Sequence, residues 1–587
     1  MIRPQNTPTR TAIDLSGLWR IRFDPDDHGE DQGWPRGLPD DHDTYAIAVP
    51  GSWNEQLAEA GYFGYVGAAW LETSFRVPAA LAGQALSLRF GSADYFAQVW
   101  IDGQLAGASG AAMLPFEIAG DGLLSAGAEV RLVVRVSNVL PADGPTQGIT
   151  PQTYHDEKRA RDEYHPAVRF DFFPYGGLNR PVHLVARPPV AITRYRAIAT
   201  RDRLRLSVEA DGGAVLVARI AGHGIELAFD APVADGRVEL DASVRVLPWS
   251  PDDPRLYRLT LDLMSADDRL IDSVSQRIGF RDVAVDGTRL LLNGEPLLLK
   301  GFGKHEDSPI HGRGLNLPQL VKDFALLKWC GANSVRTSHY PYAEEFLDLA
   351  DEHGVLVIGE VFSINLDFRL VNDEVLANHK QAARELIERD ASRTCVIAWS
   401  LANEPGYLAE AEYPEHSGDY WAKLFAEARA ADPTRPLTHA NVGYAGNDDP
   451  GFAHDDFVMI NRYHGWYGQP AQLDRAKAAL EADFAAIAGH HKPILVSEFG
   501  ADALAGQHAT HDQLFTEEYQ ARFIATYWAA ITAHPAVIGG HVWAFADFRT
   551  AQHSRRVVMN LKGVFTRDRA PKRAAFVLRD LWSGPCD

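Results

Sequence analysis

Cysteine is nearly missing from this chain of 587 residues, which holds only Cys330, Cys395 and Cys586. An odd count, with two of the three inside apolar runs, excludes a disulfide framework and a cysteine metal site. Reduced thiols predict a cytoplasmic home. No run of about 18 uninterrupted apolar residues appears, and Met1-Ile2-Arg3-Pro4-Gln5-Asn6-Thr7-Pro8 lacks the hydrophobic stretch of a secretory signal, so no membrane partner is expected. Positive charge is scarce too: 57 Lys and Arg against 78 Asp and Glu leave a net charge of −21, without a long basic run, which argues against nucleic acid as a partner. No Gly-rich phosphate loop follows a strand, so nucleotide use has no support in the sequence, and no cofactor is expected. No pair of histidines at helical ligand spacing has an acidic third ligand, and no metal is expected.

What is present falls into three regions. From about residue 12 to 185 short alternating runs such as Leu86-Ser87-Leu88-Arg89-Phe90 and Val130 to Val136 are separated by Gly, Asp and Pro turns, which predicts a jelly-roll-like β-sandwich over 1–187. A second all-β stretch, 188–280, has the length of an immunoglobulin-like sandwich. From 281 to 587 strands alternate with amphipathic helices, as in a (β/α)8 TIM barrel. Eight strands are predicted at 296–301, 334–337, 355–359, 395–401, 436–440, 457–461, 493–497 and 537–543. Two helical stripes between them are Leu320, Val321, Phe324 and Leu327, and Ala383, Leu386 and Ile387.

The runs Cys395-Val396-Ile397-Ala398-Trp399-Ser400-Leu401 and Pro493-Ile494-Leu495-Val496 are too continuously apolar for half-exposed strands and read as buried parallel ones. Each is followed by an acid, Glu404 in Asn403-Glu404-Pro405 and Glu498 in Ser497-Glu498-Phe499-Gly500. In a barrel the carboxyl ends of the strands share one face, so both acids point at one site. Paired carboxylates suit glycoside hydrolysis, where one group delivers a proton and another supplies negative charge to an oxocarbenium-like transition state.

The segments Leu15-Ser16-Gly17-Leu18-Trp19, Val49-Pro50-Gly51-Ser52, Gly301 to Asp307 and Arg336-Thr337-Ser338-His339-Tyr340-Pro341-Tyr342 join these motifs in a resemblance that covers essentially the whole chain. The sequence resembles the three-domain β-glycosidases of glycoside hydrolase family 2, and within them the bacterial β-glucuronidases. The resemblance implies an exo-acting, retaining hydrolysis of β-D-glucuronides through a covalent glycosyl-enzyme intermediate, with Glu404 as acid/base and Glu498 as nucleophile. The substrate partner is then a small-molecule or oligosaccharide β-uronide, and a homo-oligomer is expected. The alternatives are a β-galacturonidase, a β-galactosidase, or a non-catalytic carbohydrate-binding protein, the last of which expects one of the two acids to be lost.

The neighbouring residues have physical duties on this reading. Asn403 can bond a sugar hydroxyl beside the reacting carbon, and His339 can bind hydroxyls or position a carboxylate. Tyr463, Trp466 and Tyr467 follow strand six and offer a stacking surface and a phenol for Glu498, while Trp543 ends strand eight and can floor the pocket. The loop after strand eight holds Arg556, Asn560 and Lys562, basic where the protein is acidic, and Asn560-Leu561-Lys562 resembles the uronate-recognition motif of the family. In Phe170-Asp171-Phe172-Phe173-Pro174 the resemblance assigns Asp171 to the ring hydroxyls, although Phe170 and Pro174 stand where the family pattern has His and Asn.

Overall fold

A computed structural model of the chain describes residues 1–140, 143–146, 165–166, 168, 170–406 and 417–583. Cys586 lies outside the described residues. The amino-terminal region is a sandwich of two antiparallel sheets. One has the order Thr11–Asp14, Val182–Arg187, Ala85–Phe90, Phe116–Ala119, and the other Thr44–Val49, Gly17–Asp24, Ala68–Arg76, Glu129–Ser137, Phe96–Ile101, Gln104–Ser109. Alternation decides which side faces in: along Glu129–Ser137 the side chains of Val130, Leu132, Val134 and Val136 are buried while Glu129 and Arg131 face solvent. These valines share one core with Leu88, Phe90 and Leu184 of the opposite sheet.

A second sandwich sets three strands, Ile192–Thr200, Arg203–Ala210 and Arg237–Ser243, against four, Ile225–Pro232, Val215–Gly222, Tyr257–Met264 and Leu270–Ile278. Seven strands in two sheets suit an immunoglobulin-like sandwich. A small antiparallel meander, Val283–Asp286, Arg289–Leu292 and Glu295–Pro296, then leads into the barrel.

The barrel is closed by eight parallel strands: β1 (Leu299–Gly303), β2 (Ser334–Arg336), β3 (Leu356–Glu360), β4 (Val396–Asn403), β5 (Leu437–Asn441), β6 (Val458–Asn461), β7 (Ile494–Phe499) and β8 (Val537–Trp543). All eight answer to strands read from the sequence, with one correction of register. The sequence pattern puts the first at 296–301, but Pro296 belongs to the meander and the barrel strand starts at Leu299. All eight residues of β4 are buried, as its unbroken apolar run requires.

The barrel helices are α1 (Leu317–Trp329), α2 (Glu344–His353), α3 (Asp373–Asp390), α4 (Ser417–Ala431), α5 (Leu473–Ile487), α6 (Glu517–Ala533) and α7 (Arg573–Trp582). Helix α3 begins at an Asn372 cap whose side chain accepts from the Val375 N–H, and buries Ala383, Leu386 and Ile387 as the stripe predicts. Leu386 and Ile387 each contribute about 1.5 to 3 kcal/mol when fully covered, and the Ala383 methyl less. In α1 the stripe needs correcting: Leu320, Phe324 and Leu327 are buried, but Val321 is 58% exposed, because it lies one residue off the i, i+4, i+7 row that faces the strands. Between β5 and β6 the chain makes only the short turns Gly443–Ala445 and Pro450–Ala453 in place of an α-helix.

Candidate active site

Both acids reach the same end of the barrel. Glu498, the last residue but one of β7, is in register with Asn461 at the end of β6 and is 4% exposed. Its Oε1 accepts from Arg336 Nη1 at 2.9 Å and its Oε2 from the Tyr463 hydroxyl at 2.6 Å. A donor on each oxygen locks the carboxylate's orientation. Burial, and then the charge of Glu498 beside it, holds the Tyr463 phenol well above its ordinary pKa, so Tyr463 keeps the proton it donates.

Glu404 follows β4 directly, with φ of 48°, in the left-handed region that few non-glycine residues occupy. Such a conformation costs on the order of 1 to 3 kcal/mol and is typical of functional turns. The Glu404 N–H donates to Ala440 O at 2.8 Å, and Asn461 Nδ2 donates to Glu404 Oε1 at 3.0 Å. Burial in the cleft pushes the Glu404 carboxyl up and the negative charge of Glu498 adds to the shift, bringing it to about 8. Glu404 is therefore protonated at neutral pH, and the two carboxyl groups can take different parts.

Asn403 Oδ1 accepts from Arg336 Nη2 at 2.6 Å and Asn461 Nδ2 at 3.2 Å, which leaves its side-chain N–H donors without a partner among the described residues. His339 stacks on Trp543 with ring centroids 5.0 Å apart, and its Nε2 lies 3.7 Å from Glu498 Oε1. Trp543 closes β8 and is 4% exposed. The close pass of β7 and β8 explains the glycine in Ser497-Glu498-Phe499-Gly500: a Cβ on Gly500 would lie 1.9 Å from the Trp543 carbonyl oxygen.

The basic loop arrives at the same cleft. Lys562, 1% exposed, has Nζ 4.8 Å from the Tyr467 ring centre, 5.2 Å from Trp466 and 5.9 Å from Tyr463. Its Nζ donates to Asp502 Oδ2 at 2.6 Å and to the Tyr467 hydroxyl at 3.0 Å. Arg556 makes a two-pronged bond to Asp171, 2.9 and 2.7 Å, and Asn560 Nδ2 donates to Asp171 Oδ2 at 2.6 Å. Each of the two cations is thus matched by a carboxylate of the chain itself, because burying a bare ammonium or guanidinium is costly. Trp466 lies beside the Lys562 ammonium and edge-on to Phe515, which makes it part of a cation-holding aromatic wall. The departures near Asp171 are absorbed by packing: Phe170 stacks on Phe172 at 4.1 Å, and the Pro174 carbonyl accepts from Asn138 Nδ2.

Four residues of the site were not singled out from sequence. Arg336 ends β2 and Glu360 ends β3; the Arg336 Nε donates to Glu360 Oε2 at 2.7 Å, and His339 Nδ1 lies 2.8 Å from Glu360 Oε1. Burial pushes the Glu360 carboxyl up, but Arg336 and His339 outweigh it and hold it down to about 2. Asn461 ends β6. These three carry the same signal that marks Glu404 and Glu498, a polar residue at the carboxyl end of an apolar strand. Asp502, in the loop after β7, carries no such signal.

A closed parallel barrel behind two sandwiches, with acids gathered at the strands' carboxyl ends, has the build of a barrel glycoside hydrolase, and comparison with known proteins supplies the family. Residues 283–584 match the TIM barrel domain of glycosyl hydrolases family 2, residues 13–188 its sugar binding domain and residues 227–281 a further family 2 domain. A β-glucuronidase of Paenibacillus borealis is 37% identical over 99% of this chain and 98% of its own length, and that of Homo sapiens is 32% identical over 99% and 92%. A structure of Ruminococcus gnavus β-glucuronidase in complex with D-glucuronic acid superposes with a TM-score of 0.89 at 31% identity, covering 99% of both chains. The same enzyme with a C6-substituted uronic isofagomine gives 0.91 at 32%, again covering 99% of both. The chain belongs to glycoside hydrolase family 2 and is a glycoside hydrolase. Among the described residues no helix is long and apolar enough to cross a membrane.

Proposed function

We propose that this chain is an exo-acting, retaining β-glucuronidase in which Glu498 attacks the anomeric carbon and Glu404 serves first as acid and then as base. The observation that carries the reading is the juxtaposition of Lys562 with the catalytic pair: its ammonium lies 5.9 Å from the ring of Tyr463, whose hydroxyl bonds Glu498 at 2.6 Å. A pyranose with its anomeric carbon at Glu498 then has its C6 carboxylate within reach of Lys562, Asn560 and Arg556. Asn403 offers its N–H donors to the hydroxyl beside the reacting carbon, Trp543 and His339 form the floor, Tyr467 joins the two cations, and Asp171 reaches the ring hydroxyls from the first sandwich. The Paenibacillus borealis relative, which shares nearly the chain's full length, is a β-glucuronidase, and so is the Ruminococcus gnavus protein whose structure is in complex with D-glucuronic acid.

Lys562→Ala tests the substrate. A buried carboxylate deprived of its charged partner costs about 2 to 4 kcal/mol, roughly 30- to 1,000-fold in kcat/KM. The loss should fall on an aryl β-glucuronide and spare the matched β-glucoside. An unchanged ratio of the two would remove the uronate reading, and a wild type faster on the galacturonide would redirect it to the C4 epimer.

The acid role of Glu404 has a pH signature. The general acid must hold its proton when substrate arrives, so kcat/KM for a glucuronide with a poor leaving group should decline above about pH 8, as the carboxyl in the free enzyme ionises. Glu404→Gln cannot ionise and should lack that limb; a limb that persists in the variant belongs to another group. The reading extends to a cytoplasmic homo-oligomer, which cell fractionation and light scattering test.

A further inference from the structure

The carboxylate that meets Lys562 is Asp502, 4% exposed, in the loop after β7. Both of its oxygens are engaged: Oδ1 accepts from the Leu561 N–H at 2.8 Å and Oδ2 from Lys562 Nζ at 2.6 Å. Burial alone would push this carboxyl up, but Lys562 and Arg556, the latter with Nη1 at 3.8 Å, more than reverse that and hold it below the ordinary Asp range. The loop is itself held. Lys572, fully buried, donates to the carbonyls of Ala503 and Leu561 at 2.8 and 2.9 Å and is paired with Asp547 at 2.7 Å, while Ala503 N–H donates to Leu561 O at 3.0 Å. Gly563 lets its loop pass close against Asp547, since a Cβ there would lie 2.0 Å from Asp547 N. Asp502 and Lys562 thus sit on two segments clamped side by side.

A lysine ammonium has three N–H donors on a flexible stem and, unlike a guanidinium, no geometry of its own. In this cleft one donor is taken by Asp502 and one by the Tyr467 hydroxyl. The third has no partner among the described residues. The aromatic rings of Tyr463, Trp466 and Tyr467 attract the cation but do not direct it, so the two hydrogen bonds decide where the third donor points.

We propose that Asp502 is a specificity-determining positioning residue: by anchoring the Lys562 ammonium it aims the remaining N–H at the C6 carboxylate of the sugar, and so sets the preference for a uronide over a neutral hexoside. This rests on the uronidase reading above. Asp502 need not touch the sugar. Asparagine at 502 has one acceptor where aspartate has two, so it must forgo either the Leu561 N–H or the ammonium, and it brings no counter-charge.

The test is the ratio of kcat/KM for matched aryl β-glucuronide and β-glucoside in wild type, Asp502→Asn, Asp502→Glu, Lys562→Ala and the double variant Asp502→Asn/Lys562→Ala. We expect Asp502→Asn to lower the ratio about 10- to 100-fold with glucoside turnover within about threefold of wild type, and Asp502→Glu, which keeps the charge, to recover part of it. In the Lys562→Ala background Asp502→Asn should change the ratio no further, because the group it positions is gone. Equal losses on both substrates, an unchanged or increased ratio, or additive effects in the double variant overturn the inference. A wild type without preference for the uronide sinks the functional reading first and this inference with it, whereas a uronide-preferring wild type with an indifferent Asp502→Asn sinks this inference alone.

Discussion

Turnover of any β-glycoside should fall by at least about 10^4-fold when Glu498 is replaced by alanine, because on the proposed mechanism the reaction loses the group that forms the covalent intermediate and not merely a contact. The site is built to present that carboxylate in one pose. Arg336 fixes Oε1, Tyr463 fixes Oε2, and Arg336 is itself held by Glu360 at 2.7 Å. A fluorinated uronide with a good leaving group slows the second step more than the first, so the intermediate accumulates and peptide mapping identifies its anchor. Glu498 should carry the label. A label on another residue, with Glu498 free, would end the assignment.

Glu404→Gln should have the second largest effect, and a selective one. A glycoside whose leaving oxygen needs a proton should slow by about 10^2- to 10^4-fold, while an activated aryl glycoside keeps most of its first step. For the activated substrate the slow step becomes attack of water on the intermediate, which no longer has a base to help it. Azide needs no base and should restore turnover, with glycosyl azide as product. If the variant slows both substrate types alike and azide rescues neither, Glu404 is not the acid/base.

The reading of the barrel from sequence worked where the signal was local. Runs such as Val396 to Leu401 are buried on every residue, and such a run has no other stable place than the centre of a covered sheet. It faltered at Val321, where a stripe one residue too wide took in a side chain that faces solvent. Short antiparallel strands next to a barrel look like barrel strands until their partners are known, which is why Pro296 was drawn into β1.

The site divides in the same manner. The sequence by itself determined the barrel, the two sandwiches, and the placing of Glu404 and Glu498 at one face, since strand periodicity and the rule of carboxyl ends need only the order of residues along the chain. It also carried the basic residues Arg556 and Lys562 as candidates, because they stand out against a net charge of −21, and Asn560 through its place in Asn560-Leu561-Lys562. Which carboxylate meets which cation was decided only by the tertiary structure. Asp171 reaches Arg556 across 385 positions, and Asp502 reaches Lys562 across 60. Arg336 reaches Glu498 across 162. Such pairs leave no periodic trace, because charges buried together are selected by distance in space and by the cost of leaving either alone, and neither is a function of their separation along the chain.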